Sequence, residues 1–274
     1  MIARLPIALL ALWALLALVG PFLPLAPDEI HLPLILRPPG LGLVWDQGLG
    51  GVFGYDDLGR SVAARLLTGA HLSFLIALTV VLISAAVGTT LGLVAGWLGG
   101  GFDFLLMRIV DVFLAFPGIL LAIALAGLLG PGEGNVVIAL SVTGWVGYAR
   151  LTRAQALSLK HRDHVAAAVA LGTTTPHILW RHLLPLLLAP LLVEATFSIA
   201  AVVLAEAGLS FLGIGVQPPT ATWGNMIRDG VRYMLMAPHL VLFPGAALAL
   251  VVLAVNLTGD HLRDRLDVRE RTRP

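Results

Sequence analysis

The sequence predicts an all-α protein that crosses a lipid bilayer six times with both termini in the cytoplasm, and three observations carry the prediction. Of 274 residues, 58% are hydrophobic and only 12% charged, with a mean hydropathy of +0.93. A soluble domain of this length has no way to hide so much apolar surface. The 30 glycines and 17 prolines fit transmembrane helices, which carry more of both than soluble ones. Lysine and arginine also alternate in density between successive inter-span segments, as the positive-inside rule requires. The chain has no cysteine, which removes disulfides, thiolate metal sites and cysteine nucleophiles and leaves the redox compartment open.

The first span is expected from Ile7 to about Leu25, after Arg4. A signal peptide is the competing reading, but Pro21 and Pro24 follow the apolar run in place of a small-residue cleavage site, which favours an uncleaved span. Residues 26–70 form the longest segment outside the spans, ending in GYDDLGRSVAARLLTGA. Asp56 and Asp57 are placed to cap a helix with Leu58, Val62 and Leu66 on one face, ending at Gly69 and lying on the membrane surface. A solvated connecting helix is the alternative. The second span, about 71–97, carries Gly88, Gly92 and Gly96 four apart, a stripe that lets another helix approach closely; the simpler reading is that glycine is common in such helices.

An interfacial piece, GGGFDFLLMRIVDVFLAFPG, follows, in which Asp103, Arg108 and Asp111 are spaced to pair along one helical face. Pro117 interrupts the apolar run that forms a third span to Leu129. After a turn over Gly130 to Asn135, a fourth span covers 136–150, short unless its helix continues. The fifth, 186–213, contains Glu194 and Glu206. Twelve residues at roughly 100° each set these carboxylates about 120° apart, so they form no obvious pair, and a proton relay through them is the reading from a different functional class. Pro218 and Pro219 stiffen the next loop, in which Trp223 and Tyr233 suit a membrane interface. A sixth span covers 240–257, before a tail over 258–274.

The most informative stretch is the polar interruption DHVAAAVALGTTTPHILWRHLLP, Asp163 to Pro185, within the loop 151–185. Asp163 reads as an N-cap, Ala166, Ala167 and Ala168 as strong helix formers, and Gly172 as a left-handed C-terminal residue. Thr175 and Pro176 read as the start of a second helix. Two helices of about eight residues are marginal alone and need something to dock against. With six spans, twelve of the 17 Lys and Arg residues fall on the side of the termini and of this loop: Arg4, Arg108, Arg150, Arg153, Lys160, Arg162, Arg181, Arg263, Arg265, Arg269, Arg271 and Arg273. Arg37, Arg60, Arg65, Arg228 and Arg232 fall on the other. The loop is therefore expected in the cytoplasm.

Lys160 is the only lysine and sits in LSLKHR, so the chain has no phosphate-binding GxxxxGK[ST] loop; HExxH and GxSxG are absent too. His161, His164, His177 and His182 lie in a polar loop, where solvated or interface roles outweigh metal ligation. Nothing assembles a nucleophile, base or metal set, so a membrane enzyme has little support. A passage without its own energy source is the reading that remains.

Four stretches, in this order, then carry a resemblance: GYDDLGRSVAARLLTGA, DFLLMRIVDVFLAFPG, AEAGLSFLGIGVQPPTATWGNM and GDHLRDRLD. The chain resembles the inner-membrane permease subunits of ATP-binding-cassette importers for dipeptides, oligopeptides and nickel, specifically the C-type partner of the permease pair, over nearly its whole length after the first span. The resemblance implies the type I importer fold and makes Asp163 to Pro185 the family's EAA loop, whose coupling helices dock on an ATPase. Ala166, Ala167 and Ala168 match the Glu-Ala-Ala positions, Ala166 replacing the glutamate; Gly172 matches the glycine, and Leu184 and Pro185 the closing pair, with His182 beside them. It also implies a second permease, two ATPases that hold the ATP and magnesium, and an extracytoplasmic binding protein meeting the outer face, for which Asp56, Asp57, Arg60, Pro218, Pro219 and Trp223 are the candidates. No cofactor of the chain's own and no nucleic-acid partner are expected.

Overall fold

A computed structural model describes residues 4–40 and 48–271. Of the charges counted above, Arg273 lies outside the described residues, as do the side chains of Arg4, Arg269 and Arg271. Apart from one bridge pairing between Tyr55 and Ser61, all regular structure among the described residues is helical. The principal helices are α1 (Arg4–Val19), α2 (Val62–Leu98), α3 (Gly100–Leu114), α4 (Gly118–Leu129), α5 (Glu133–Leu159), α6 (Asp163–Ala170), α7 (Thr175–Phe211), α8 (Trp223–Val231) and α9 (His239–Arg271).

Among the described residues, four segments are long and apolar enough to cross a membrane: Leu5–Phe22, Val62–Leu98, Thr175–Phe211 and His239–Leu266. α3 and α4 together make a fifth only as a bent pair, turned by 87°. The bend falls at Pro117, the N-cap of α4, whose missing N–H and fixed φ end the preceding helix. The third span is thus not straight, since the 12 residues of α4 extend only about 18 Å. α5 does run past Arg150, to Leu159. Its Trp145, Tyr148, Arg150, Thr152 and Arg153 lower its apolarity, and it packs along α2.

α2 is the spine, contacting α1, α3, α5, α7 and α8. Its 37 residues reach about 55 Å, well beyond a hydrocarbon core of about 30 Å. The surface helix expected over residues 58–69 does not exist as a separate element. Ser61, rather than Asp56 or Asp57, is the N-cap, its Oγ accepting from Ala64 N at 3.2 Å, and the helix runs through Gly69 without a break. Gly69 serves close packing there: a Cβ would come within 2.7 Å of the Trp223 ring. The charged tail likewise continues α9 as helix.

At the α2–α5 crossing the glycine stripe meets small side chains and backbone. A Cβ on Gly88 would strike the carbonyl of Trp145 and the Tyr148 Cβ; on Gly92, Thr152 and the Ala149 carbonyl; on Gly96, Ala156 and the Arg153 carbonyl. Thr152, fully buried, returns its hydroxyl to Tyr148 O at 2.7 Å, so the approach leaves it hydrogen-bonded.

Candidate functional site

Chemically distinctive residues gather at the two ends of α2. At the α2 C-terminus lies the 163–185 stretch. α6 begins with Asp163 as its first residue, and Arg162 is the N-cap; the Asp163 carboxylate therefore sits in the first turn, where the helix dipole favours it, without capping a backbone N–H. The helix ends in a complete Schellman motif: Thr173 N donates to Ala168 O at 3.0 Å and Gly172 N to Val169 O at 2.9 Å, with Gly172 at φ +78°.

The second expected helix is the opening of α7. Thr174, not Thr175, is the N-cap, and the chain passes through a π-helical turn over Ile178–Leu183 straight into the long helix. A wide turn of this kind precedes Pro185, which has no N–H to offer a regular ladder. The hinge at Gly172 thus joins one short helix to a span instead of joining two short helices.

Val165 and Ala168 face inward and close a small core with Leu93, Ala156, Leu159, Ile178, Leu179, Leu183 and Leu187. Ala168 is consequently unavailable to a partner. Ala166, Ala167 and Pro185 are exposed, and Leu184 and His182 half-buried. The sequence reading missed the apolar residues beside them: Val169 is 51% exposed, Trp180 57% and Leu171 86%. Val169 lies on the outer face of α6, Leu171 just past its end and Trp180 in the π-helical turn; their signal was large apolar residues within an otherwise polar stretch.

Charged residues tie this end together. Arg153 forks onto Asp103, with Nη2 donating to Oδ2 at 2.7 Å and Nε to Oδ1. Asp103 therefore pairs with α5 and not along its own helix; Arg108 and Asp111 keep only a loose 4.0 Å contact at the surface. Lys160 Nζ donates to Gly96 O at 3.2 Å, placing a cation on the carbonyl end of α2.

The opposite end is a polar knot. Asp56 Oδ1 accepts from Leu58 N and Arg60 N, both at 2.9 Å, and Oδ2 from Arg60 Nε at 2.7 Å. Arg65, 3% exposed, reaches Asp56, Asp28 and the Pro219 carbonyl, each at 3.5 Å. Asp56 and Arg60 are thus committed inside the chain and are not an open contact surface. Trp223 is 2% exposed, donating Nε1–H to Leu66 O at 3.1 Å, so it is an internal wedge and not an interface residue. Pro218 and Pro219 are exposed and Asp57 half-exposed. Burial, and then the neighbouring Asp56 charge, push the Asp57 carboxyl above its ordinary pKa despite Arg60.

The two intramembrane carboxylates have separate surroundings. Glu206 is fully buried and accepts from Ser73 Oγ at 3.0 Å and Ser210 Oγ at 2.8 Å, which joins α2 to the end of α7. Glu194 lies against Gly147 of α5. No cluster of His, Asp or Glu able to bind a metal is present among the described residues.

Residues 88–272 match the family described as the binding-protein-dependent transport system inner membrane component. Among curated proteins, one from Brucella suis named as a peptide transport system permease is 43% identical over 97% of this chain and 87% of its own length. The di/tripeptide transport system permease of Pseudomonas aeruginosa is 42% identical over 92% and 82%, and the glutathione transport system permease of Escherichia coli 46% identical over 78% and 71%. With a match over well more than half its length and relatives above 40% identity, the chain belongs to the family of inner-membrane permease components of binding-protein-dependent, ATP-binding-cassette transport systems.

Proposed function

We propose that this chain is one of two different permease subunits of an ATP-driven importer in the cytoplasmic membrane of a bacterium or archaeon, and that it passes dipeptides, oligopeptides or a related small solute. The observation that carries the reading is α6. It is fastened from within by Val165 and Ala168, stopped by the Gly172 Schellman motif, and flanked by exposed Val169, Leu171 and Trp180. A short helix held this way, with apolar side chains left uncovered, is built to fit a groove of another protein. The exposed Arg162 and Arg181 beside it suit an acidic rim on that partner.

In this reading α1, α2, the bent α3–α4 pair, α5, α7 and α9 are six membrane-embedded segments of the type I importer fold, and both termini and α6 are cytoplasmic by the distribution of basic residues. Two ATPases, holding ATP and magnesium, dock at α6, and the chain itself catalyses nothing. The opposite end, with Pro218, Pro219 and Asp57 at its surface, meets an extracytoplasmic binding protein. Docked ATPases move α6 and hence α2 and α7 together, because one small core joins all three; the switch is a rigid-body one between two packings. The names of the relatives support a peptide-like cargo. Neither those relatives nor the separate settings of Glu194 and Glu206 favour a proton-coupled carrier.

The experiment is to tag the chain, extract it gently from its own membrane, identify what accompanies it and assay ATP hydrolysis. A second permease with two ATPases is the expected result. Recovery alone or as a homo-oligomer without an ATPase, under conditions where a known complex stays intact, would overturn the proposal.

A further inference from the structure

A groove of about 650 Å³ lies between α2, α4, α5 and α7, within the range of about 300–1,000 Å³ typical of small-ligand sites. Its walls are mostly apolar, but Ser84, Thr143, Tyr148 and Ser198 all line it. The Ser84 Oγ and the Tyr148 hydroxyl are buried without a hydrogen-bond partner, in residues only 2% and 1% exposed. Such orphaned hydroxyls cost about 1–3 kcal/mol each unless something supplies the bond. Each can both donate and accept, so a peptide group, with its N–H and its carbonyl, satisfies either one.

Glu194 stands one helical turn from Ser198 on α7. A Cβ on Gly147 would lie 2.8 Å from its Oε1, so the carboxylate rests on a bare stretch of α5 beside the position of Tyr148 in the sequence. No cation lies within ion-pair distance of Glu194 among the described residues. A carboxylate at membrane depth without a counter-charge is costly and is by default a candidate functional group. The groove is open along α7, where Leu204 is 56% exposed.

Resting on the importer reading, we propose that this groove is the chain's share of the substrate path and that Glu194 receives the ammonium group of a passing peptide while Ser84 and Tyr148 serve its backbone. The charge favours a free amino terminus over a blocked one, and the small side chains along the groove leave cargo side chains unselected.

The absence of native cysteine makes the test direct. Ser198→Cys is introduced into the whole transport complex, cycled with ATP, and treated with thiol reagents of matched size carrying an ammonium or a sulfonate. The cationic reagent is expected to react about tenfold faster than the anionic one, as one charge at this range allows. The preference should vanish in Glu194→Gln and persist in Glu194→Asp. Free dialanine should slow labelling, and amino-acetylated dialanine should not. Equal rates for both reagents would overturn the proposal, as would a cysteine unreactive in every nucleotide state, which would make the groove a seat for the second permease. In both of those cases ATPases that co-purify and hydrolyse ATP would leave the importer reading standing; their absence would remove both.

Discussion

The two ends of α2 solve opposite problems. At its N-terminal end, Asp28, Asp56, Arg60 and Arg65 satisfy one another, Trp223 bonds inward to Leu66, and Glu206 is held by two serines. That end closes its charged groups within the chain, although Leu32, Leu235 and Met236 stay exposed there. At the C-terminal end the charges are also paired, Arg153 to Asp103 and Lys160 to Gly96 O, yet Leu171, Trp180 and Val169 stay uncovered. Under the proposed reading these apolar side chains wait for a partner, so substitutions there should act on coupling and those in the charged knot on stability.

The largest expected effect is between the two ends, on the stripe that holds α2 to α5. Gly92→Leu should destabilise the folded subunit by more than about 3 kcal/mol, since Thr152 and the Ala149 carbonyl occupy the space. Gly127→Ala, with nothing within 4 Å of the added Cβ, should leave the thermal midpoint unchanged or raise it. Equal losses from both would show that the α2–α5 contact is not tight. Next, Arg65→Ala at the N-terminal end should cost about 1–3 kcal/mol by removing the second arginine from buried Asp56, which keeps Arg60, read as a lower unfolding midpoint of the detergent-extracted complex.

At the C-terminal end, Leu171→Asp should change stability by less than about 0.5 kcal/mol, because the side chain is exposed. ATP hydrolysis by the complex should nevertheless stop responding to substrate. A large fall in stability would place Leu171 in the core and erase the contrast. The smallest effect concerns Asp57. Its folded-state carboxyl pKa is raised, so its charge opposes folding above that pKa, and the opposition disappears as pH falls below the ordinary carboxylate value. Asp57→Asn should therefore raise the unfolding midpoint slightly at neutral pH and not in acid, a difference that thermal scans at the two pH values would detect.

What the sequence made legible was local. The four-residue glycine spacing, the left-handed Gly172 and the break at Pro117 all follow from one residue's own conformational or packing demand, and each stands where that demand placed it. The continuation of α5 past Arg150 followed from length alone. What stayed hidden depended on partners far along the chain. Asp56 and Asp57 looked like caps until Arg60 and Arg65 claimed Asp56 and left the N-cap to Ser61. Trp223 looked like an interface residue because its partner, Gly69, lies over 150 positions away. Asp103 looked like a neighbour of Arg108 and belongs to Arg153, fifty residues on. At α6 the alanines read alike as helix formers, whereas the turn of the helix sends Ala168 inward with Val165 and leaves Ala166 and Ala167 outside.

We propose that the uncovered face around α6 meets an ATPase. Its most direct test is a single Leu171→Cys substitution in this cysteine-free chain, followed by short-range crosslinking within the extracted complex. A crosslink from residue 171 to a co-purifying ATP-hydrolysing subunit is expected, formed at different yield with and without ATP. A crosslink only to lipid or to a second copy of this chain, with an ATPase present and active in the same preparation, would contradict it.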